Sequence, residues 1–242
     1  ASGAMVPGMT FQTGAGGTSL AVAEKLGQRM QAAGIVGRFA SGGITAPLVD
    51  LHRAGLFEAL WDVQCFDLAG VESLRDDANH RVMSASEYAN PLRADAVVDQ
   101  LDVVILGAAE VDLEFNVNVT TGSDGRILGG SGGHADCAVG AGLTIIVTPL
   151  AARGWPRIVD AVRCVTTPGE SIDAVVCEAG IAIHPNRAEL RERAIAAGLP
   201  VMGLADLQRL GPEKKRFAPA AGRIIAVSEY RDGRVLDVLR CP

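Results

Sequence analysis

Met9-Thr10-Phe11-Gln12-Thr13-Gly14-Ala15-Gly16-Gly17-Thr18-Ser19 is a short apolar run that breaks into glycines and then opens on small hydroxyl residues. It reads as a strand, Met9 to Thr13, turning straight into a helix. Leu20, Ala23, Leu26 and Met30 follow at helical spacing, with Thr18 or Ser19 as N-cap. Gly34 stops that helix, and Ile35 to Phe39 reads as the next strand. The loop Ser41-Gly42-Gly43-Ile44-Thr45-Ala46 comes next, then Pro47 in the first turn of a helix through His52, then a strand from Trp61 to Phe66.

Outward from there, Val103 to Leu106 and Leu143 to Val147 are continuous apolar runs of the kind buried on both faces of a sheet. Phe115 to Val119 alternates apolar and polar, as a half-buried strand does, and Gly122-Ser123-Asp124-Gly125 turns it back. Ala174 to Val176 and Val201 to Leu204 add strands around a helix near Ala188 to Ala197. Arg223 to Tyr230, Asp232-Gly233 and Val235 to Leu239 form a β-hairpin. The order predicts an α/β fold: an open mixed, largely parallel sheet flanked by helices, with a C-terminal β-hairpin.

The chain has 242 residues, 48% hydrophobic and 21% charged, with a formal net charge of −6. That length buries roughly 70–75% of the unfolded surface, so a core forms without disulfides. The apolar fraction excludes a disordered chain, and the 29 glycines lack the period of collagen. No apolar run reaches the roughly 18–20 residues of a spanning helix, and Ala1 to Val6 lack the basic start of a signal peptide. Five cysteines without CxxC spacing (Cys65, Cys137, Cys164, Cys177, Cys241) point away from a zinc ribbon or disulfide framework and toward a reducing cytoplasm. The acidic balance argues against nucleic acid. Residues 206–242 nevertheless carry eight Lys/Arg against five acids, either solvated charge or a docking face for an acidic partner.

Three glycine segments stand out. Gly14-Ala15-Gly16-Gly17 joins strand to helix, where backbone N–H groups can meet an anion; Ser19 at the third glycine's place breaks the dinucleotide fingerprint, and there is no P-loop lysine. Ser41-Gly42-Gly43-Ile44-Thr45 offers hydroxyls and backbone donors at the same sheet edge, where open α/β sheets bind ligands. Gly129-Gly130-Ser131-Gly132-Gly133-His134-Ala135-Asp136 packs four glycines into five residues before a small-residue helix. Ordinary turns need one or two. Successive glycine amides can converge on one oxyanion.

The four histidines, none paired at ligand spacing, indicate no metal site. His52 and His80 read as surface residues, His184 as loop or site alike, and Cys137 as a small buried residue. No GxSxG elbow marks a hydrolase nucleophile.

Together Phe11 to Gly17, Gly42-Gly43-Ile44-Thr45-Ala46-Pro47, Leu56-Phe57-Glu58 with Asp62-Val63-Gln64, Phe115 to Gly125, Ser131-Gly132-Gly133-His134, Arg153 to Asp160, Thr167-Pro168-Gly169 and Gly180-Ile181-Ala182 resemble the citrate lyase alpha subunit family across nearly the whole chain. The resemblance implies a CoA-transferase-like fold, with residues 1–242 a single domain forming the carboxyl-terminal half of a two-domain subunit. It implies a citrate CoA-transferase that exchanges acetyl for citrate on the CoA-derived thiol of an acyl carrier protein, or on acetyl-CoA, with no cofactor held by this chain. It further implies an oligomer with an acyl carrier subunit and a citryl lyase subunit. Wider CoA-transferases place a catalytic glutamate shortly after a Gly-Ile pair. Here Pro47 stands there, which implies chemistry without an enzyme thioester.

On that reading Gly132, Gly133 and His134 form the oxyanion hole and Asp136 orients the segment. Gly14, Ala15, Gly16, Gly17, Asn116, Asn118, Gly130 and Ser131 receive the CoA-like group. Ser41, Gly42, Gly43, Ile44 and Thr45 face the carboxylates, and Arg153 is either a carboxylate partner or a surface arginine. Rival readings are a malonate or citramalate transferase subunit and a non-catalytic CoA-thioester-binding subunit.

Overall fold

The computed structural model describes residues 2–14, 16–213 and 221–241, and leaves the side chains of residues 18–20 undescribed. The chain has two compact units: residues 2–106 with 140–143, and residues 107–139 with 144–242.

The first unit alternates β1 (Thr10–Thr13), α1 (Gly17–Ala33), β2 (Gly37–Ile44), α2 (Ala46–Arg53), β3 (Phe57–Cys65), α3 (Leu68–Asp76), β4 (His80–Val82), α4 (Ala85–Ala89) and β5 (Val103–Gly107). Its strands are all parallel, in the order β5-β1-β2-β3-β4. Phe11, Phe39, Met30, Leu48 and Leu60 are buried to 2% exposure or less and fill the space between sheet and helices. Phe39 stacks on Trp61 at 3.9 Å, and the Arg81 guanidinium sits 4.3 Å from the Trp61 ring.

Local chemistry sets the boundaries. Gly34, at φ 62°, ends α1 in the left-handed conformation. Pro47 sits in the first turn of α2. The Asp67 carboxylate accepts from the Gly70 N–H to cap α3 and from the Ala46 N–H at the start of α2. Ser84 and Glu87 form a capping box on α4.

The second unit is mixed. It contains β6 (Glu110–Asp112), β7 (Val117–Asn118), α5 (His134–Gly140), β8 (Leu143–Val147), a hairpin of β9 (Ala151–Ala152) and β10 (Trp155–Pro156), and β11 (Ile158–Val159). Then come β12 (Ala174–Cys177), β13 (Gly180–Ile183), α6 (Ala188–Ala196), α7 (Leu204–Leu210), β14 (Ile224–Glu229) and β15 (Val235–Arg240). β12 pairs parallel with β8 and antiparallel with β13, β6 lies between β11 and β7, and β14 and β15 form the C-terminal hairpin. The expected α/β fold, largely parallel sheet, helical flanks and terminal hairpin are all present.

Several elements differ from the sequence reading. α1 begins at Gly17 with Gly16 as N-cap, ahead of Thr18 and Ser19. Ser41 to Ile44 is not a loop: β2 runs through it, paired with Trp61 to Cys65, and absorbs the glycine pair as one register irregularity between Gly42 and Gly43. Of Phe115 to Val119 only Val117 and Asn118 are strand, because Phe115 turns the chain at φ 66° while Asp112 accepts the Glu114 and Asn116 amides. Val201 makes a single bridge to Ile181, and α7 starts at Leu204. The terminal turn spans Arg231-Asp232-Gly233, with Gly233 at φ 85° and its N–H on the Tyr230 carbonyl. Among the described residues no helix is long and apolar enough to cross a membrane. In the basic stretch, Arg209 pairs with Asp206 and Arg234 with Glu170, while Lys214, Lys215 and Arg216 lie outside the described residues.

Candidate functional site

Gly129, Gly130, Ser131 and Gly132 are exposed, and Gly133 is half-buried where the chain enters α5. A Cβ added at Gly129, Gly130 or Gly132 would meet nothing within 4 Å, and Gly132 adopts φ 54°. The fold itself therefore does not demand glycine at 129 and 130. The His134 amide donates to the Ser131 carbonyl at 3.2 Å and the Cys137 amide to the Gly133 carbonyl at 2.9 Å. The amides of Gly132 and Gly133 have no acceptor among the described residues.

His134 holds this segment in place. Its Nε2 lies 3.0 Å from the Gly107 carbonyl, which can only accept, so Nε2 carries the proton. Nδ1 then accepts from the Thr167 hydroxyl at 2.6 Å. Burial pushes the ring's pKa down to about 4, partly offset by the Gly107 bond, so it is neutral at pH 7. With both ring nitrogens and the amide engaged, His134 is no oxyanion donor. It acts as a clamp, and Thr167 and Gly107 are its unforeseen partners, brought to it by tertiary packing. The Asp136 carboxylate lies 3.5 Å from Arg231 in the hairpin turn, which anchors the first turn of α5. Cys137 is 1% exposed, the small buried residue expected.

Asn118 has no exposed surface, so it lines no channel. Its Nδ2 donates to Glu110 and to both Thr121 oxygens, and its Oδ1 accepts the Thr120 and Thr121 amides. It is a saturated turn-former. Asn116 is half-buried, bound to Asp112 and to the Gly169 amide, and borders an open pocket with Glu170 and Arg234. Arg153 sits exposed at the tip of the β9–β10 hairpin at φ 51° beside Gly154 at φ 76°. His184 packs edge-on against Phe115 at 4.9 Å.

In the first unit the parallel strands bring the first loop and Thr45 to one edge, at the carboxyl ends of β1 and β2. The Gly14 amide donates to the Ile105 carbonyl at 3.1 Å; a Cβ at Gly16 or Gly17 would meet nothing within 4 Å; Ala15 lies outside the described residues. Ser41 and Thr45 are buried, and their hydroxyl oxygens have no partner among the described residues. Gly42 adopts φ 102° against Gln12, whereas a Cβ at Gly43 would overlap the Phe66 ring and Ile44 is fully buried. Gly43 and Ile44 are thus packing residues, and only the two hydroxyls retain unused bonding capacity. Neither His52 nor His80 is the surface residue expected: His52 bridges the Phe57 carbonyl and Asp77, and His80 is 4% exposed.

Residues 1–241 match the family model for the citrate lyase alpha subunit. The chain belongs to the citrate lyase alpha-subunit family. It is 46% identical over 241 residues to the citrate lyase alpha chain of Escherichia coli strain K12, covering 98% of this chain and 47% of that one. Identity to the Klebsiella pneumoniae citrate lyase alpha chain is 44%, over 99% of this chain and 48% of the relative. A crystal structure described as a citrate lyase alpha subunit from Streptococcus mutans, in complex with citrate, superimposes with a TM-score of 0.92 at 42% identity, covering 99% of this chain and 48% of that chain. The chain therefore spans about half the length of the citrate lyase alpha chains it matches.

Proposed function

We propose that the polypeptide carrying this chain is a citrate CoA-transferase, exchanging acetyl for citrate on a CoA-like thiol. The observation that carries this reading is the Gly132–Gly133 backbone, exposed at Gly132 and half-buried at Gly133, with two amides that have no acceptor among the described residues and a neutral His134 clamp behind them. Citrate is ionised near pH 7 and needs no general base. Its carboxylate attacks the acetyl thioester carbonyl, and the two glycine amides receive the resulting oxyanion. Collapse expels the thiolate and leaves a mixed acetyl-citryl anhydride. The thiolate then attacks the citryl carbonyl and acetate departs. No side-chain nucleophile is required, consistent with Pro47 following Gly43-Ile44.

The citrate in the Streptococcus mutans structure supports the choice of carboxylate. The amides at Gly16 and Gly17, at the N-terminus of α1, suit the anionic part of a CoA-like group. The thiol is that of acetyl-CoA or of an acyl carrier protein bearing a CoA-derived group. That carrier and a citryl lyase subunit are the partners in an oligomeric assembly. Five free cysteines fit a reducing cytoplasm.

The test is exchange of labelled acetate by the full-length polypeptide, with acetyl-CoA and a panel of citrate, citramalate and malonate. Release with kcat/KM for citrate at least tenfold above the others is expected. Preference for malonate or citramalate, or tight CoA binding without exchange, overturns the reading.

A further inference from the structure

In the unit of residues 2–106, β3 and β4 run parallel with Leu60 opposite His80 and Asp62 opposite Val82. That register brings His80 up to Asp62, although eighteen positions separate them in the chain. Asp62 is 1% and His80 4% exposed, and Cys65, which ends β3, is half-buried. One ligand atom from each of the three lies within 4.8 Å of the other two. The Cys65 thiol donates to Asp62 Oδ2 at 2.7 Å. His80 Nε2 lies 3.4 Å from the same oxygen and makes no hydrogen bond. A buried ring nitrogen that faces a carboxylate without hydrogen-bonding to it is uncommon and calls for an explanation.

The other half of each side chain is already fixed. His80 Nδ1 is 2.9 Å from the Ser73 hydroxyl, the kind of outer contact that sets the tautomer of a ligating histidine. Asp62 Oδ1 accepts the Gln64 amide at 2.6 Å, which aims Oδ2 at the cluster. Two ligand atoms bound tetrahedrally at about 2.0–2.1 Å stand about 3.3–3.4 Å apart. The observed oxygen-to-nitrogen separation of 3.4 Å matches that spacing, whereas Cys65 Sγ, at 2.7 Å from the same oxygen through its thiol hydrogen bond, has to move out to about 3.5 Å on binding. One thiolate, one imidazole and one carboxylate form a donor set for zinc and its first-row neighbours, not for calcium or magnesium. We propose that Asp62, Cys65 and His80 form a site for one divalent transition-metal ion of the zinc class, with water in the fourth position.

Binding replaces the Cys65 proton with the ion and releases that proton to solvent. A 2+ ion balances the carboxylate and the thiolate, and it gives His80 Nε2 the electrophile it faces. The ion ties the end of β3 to the start of β4. Because the thiol gives up its proton when the ion binds, the exchange favours higher pH.

The experiment is a titration of the chelator-treated, full-length polypeptide with cobalt(II), followed by displacement with zinc. The expected result is one equivalent of cobalt with a thiolate-to-cobalt charge-transfer band that zinc removes. Cys65→Ser, whose hydroxyl can still donate to Asp62, loses the band and binds zinc at least tenfold more weakly, with an unchanged metal-free melting temperature. Cys177→Ser keeps the band. Absence of the band in the unsubstituted protein overturns the proposal, whether or not the variants fold, and so does a band that survives in Cys65→Ser.

Discussion

At Gly169 an added Cβ would overlap the Glu114 carbonyl oxygen and press on Phe115 backbone, and the amide of Gly169 is bound by Asn116. At Gly129, Gly130 and Gly132 the same atom would meet nothing within 4 Å, and the Gly132 and Gly133 amides have no acceptor among the described residues. Both segments belong to the unit of residues 107–139 and 144–242. At Gly169 glycine is required because the chain passes too close to itself. At 129, 130 and 132 the space beside the backbone is open: the φ of 54° favours glycine at 132, and at 129 and 130 the fold imposes no such requirement. A missing side chain can serve packing or a ligand, and only its neighbours tell which.

The largest effect expected from this contrast is on stability at the packed glycine. Gly169→Ala should cost toward the upper end of the roughly 1–3 kcal/mol of overpacking, read as a lower urea midpoint at constant slope. A loss within a few tenths of a kcal/mol would show that the 114–115 backbone yields easily, and the contrast would blur.

An effect confined to acid pH is expected from the clamp. His134 has a folded pKa near 4 against 6.5 for the ordinary ring, so the unfolded chain binds the extra proton between those values. Its contribution to stability is complete above about pH 6.5 and is lost as the pH falls toward 4. Comparing unfolding free energies of the unsubstituted chain and His134→Gln across that window should show a slope difference approaching one proton near pH 5. Parallel curves would mean that the ring is not held neutral. The smallest effect belongs to Gly130→Ala, which should leave stability within about 0.5 kcal/mol. A loss above 1 kcal/mol would reveal packing at a position where none is seen.

Much of the fold is legible from glycine and proline punctuation. The strand before Gly14, the αL stop at Gly34, the apolar runs of β5 and β8 and the terminal hairpin all stand where local chemistry puts them. The segment Ser41 to Ile44 misleads because a glycine pair usually breaks a strand. Here pairing with Trp61 to Cys65 overrides that preference, and Gly42 takes up the irregularity at φ 102°. Phe115 misleads in the opposite sense, since a bulky residue at positive φ is not expected from an alternating run.

In the candidate site, the glycine run and the burial of Cys137 are readable one residue at a time. The bonds of His134 to Thr167 and Gly107 are not, because they join positions 33 and 27 residues away. Asn118 looks like a ligand-facing residue in sequence, and only its five bonds reveal a turn-former. The approach of His80 to Asp62 depends on parallel register across α3, which no spacing rule encodes.

The most direct test of the claim that backbone amides, not an ionisable side chain, hold the oxyanion is the kcat of acetyl–citrate exchange by full-length Gly133→Val. Gly133 is not among the glycines at positive φ. The expected result is a fall of roughly 10²–10³ in kcat, with the urea midpoint measured alongside so that loss of the fold is told apart from loss of the oxyanion contact. Turnover within a few-fold of the unsubstituted enzyme would contradict it.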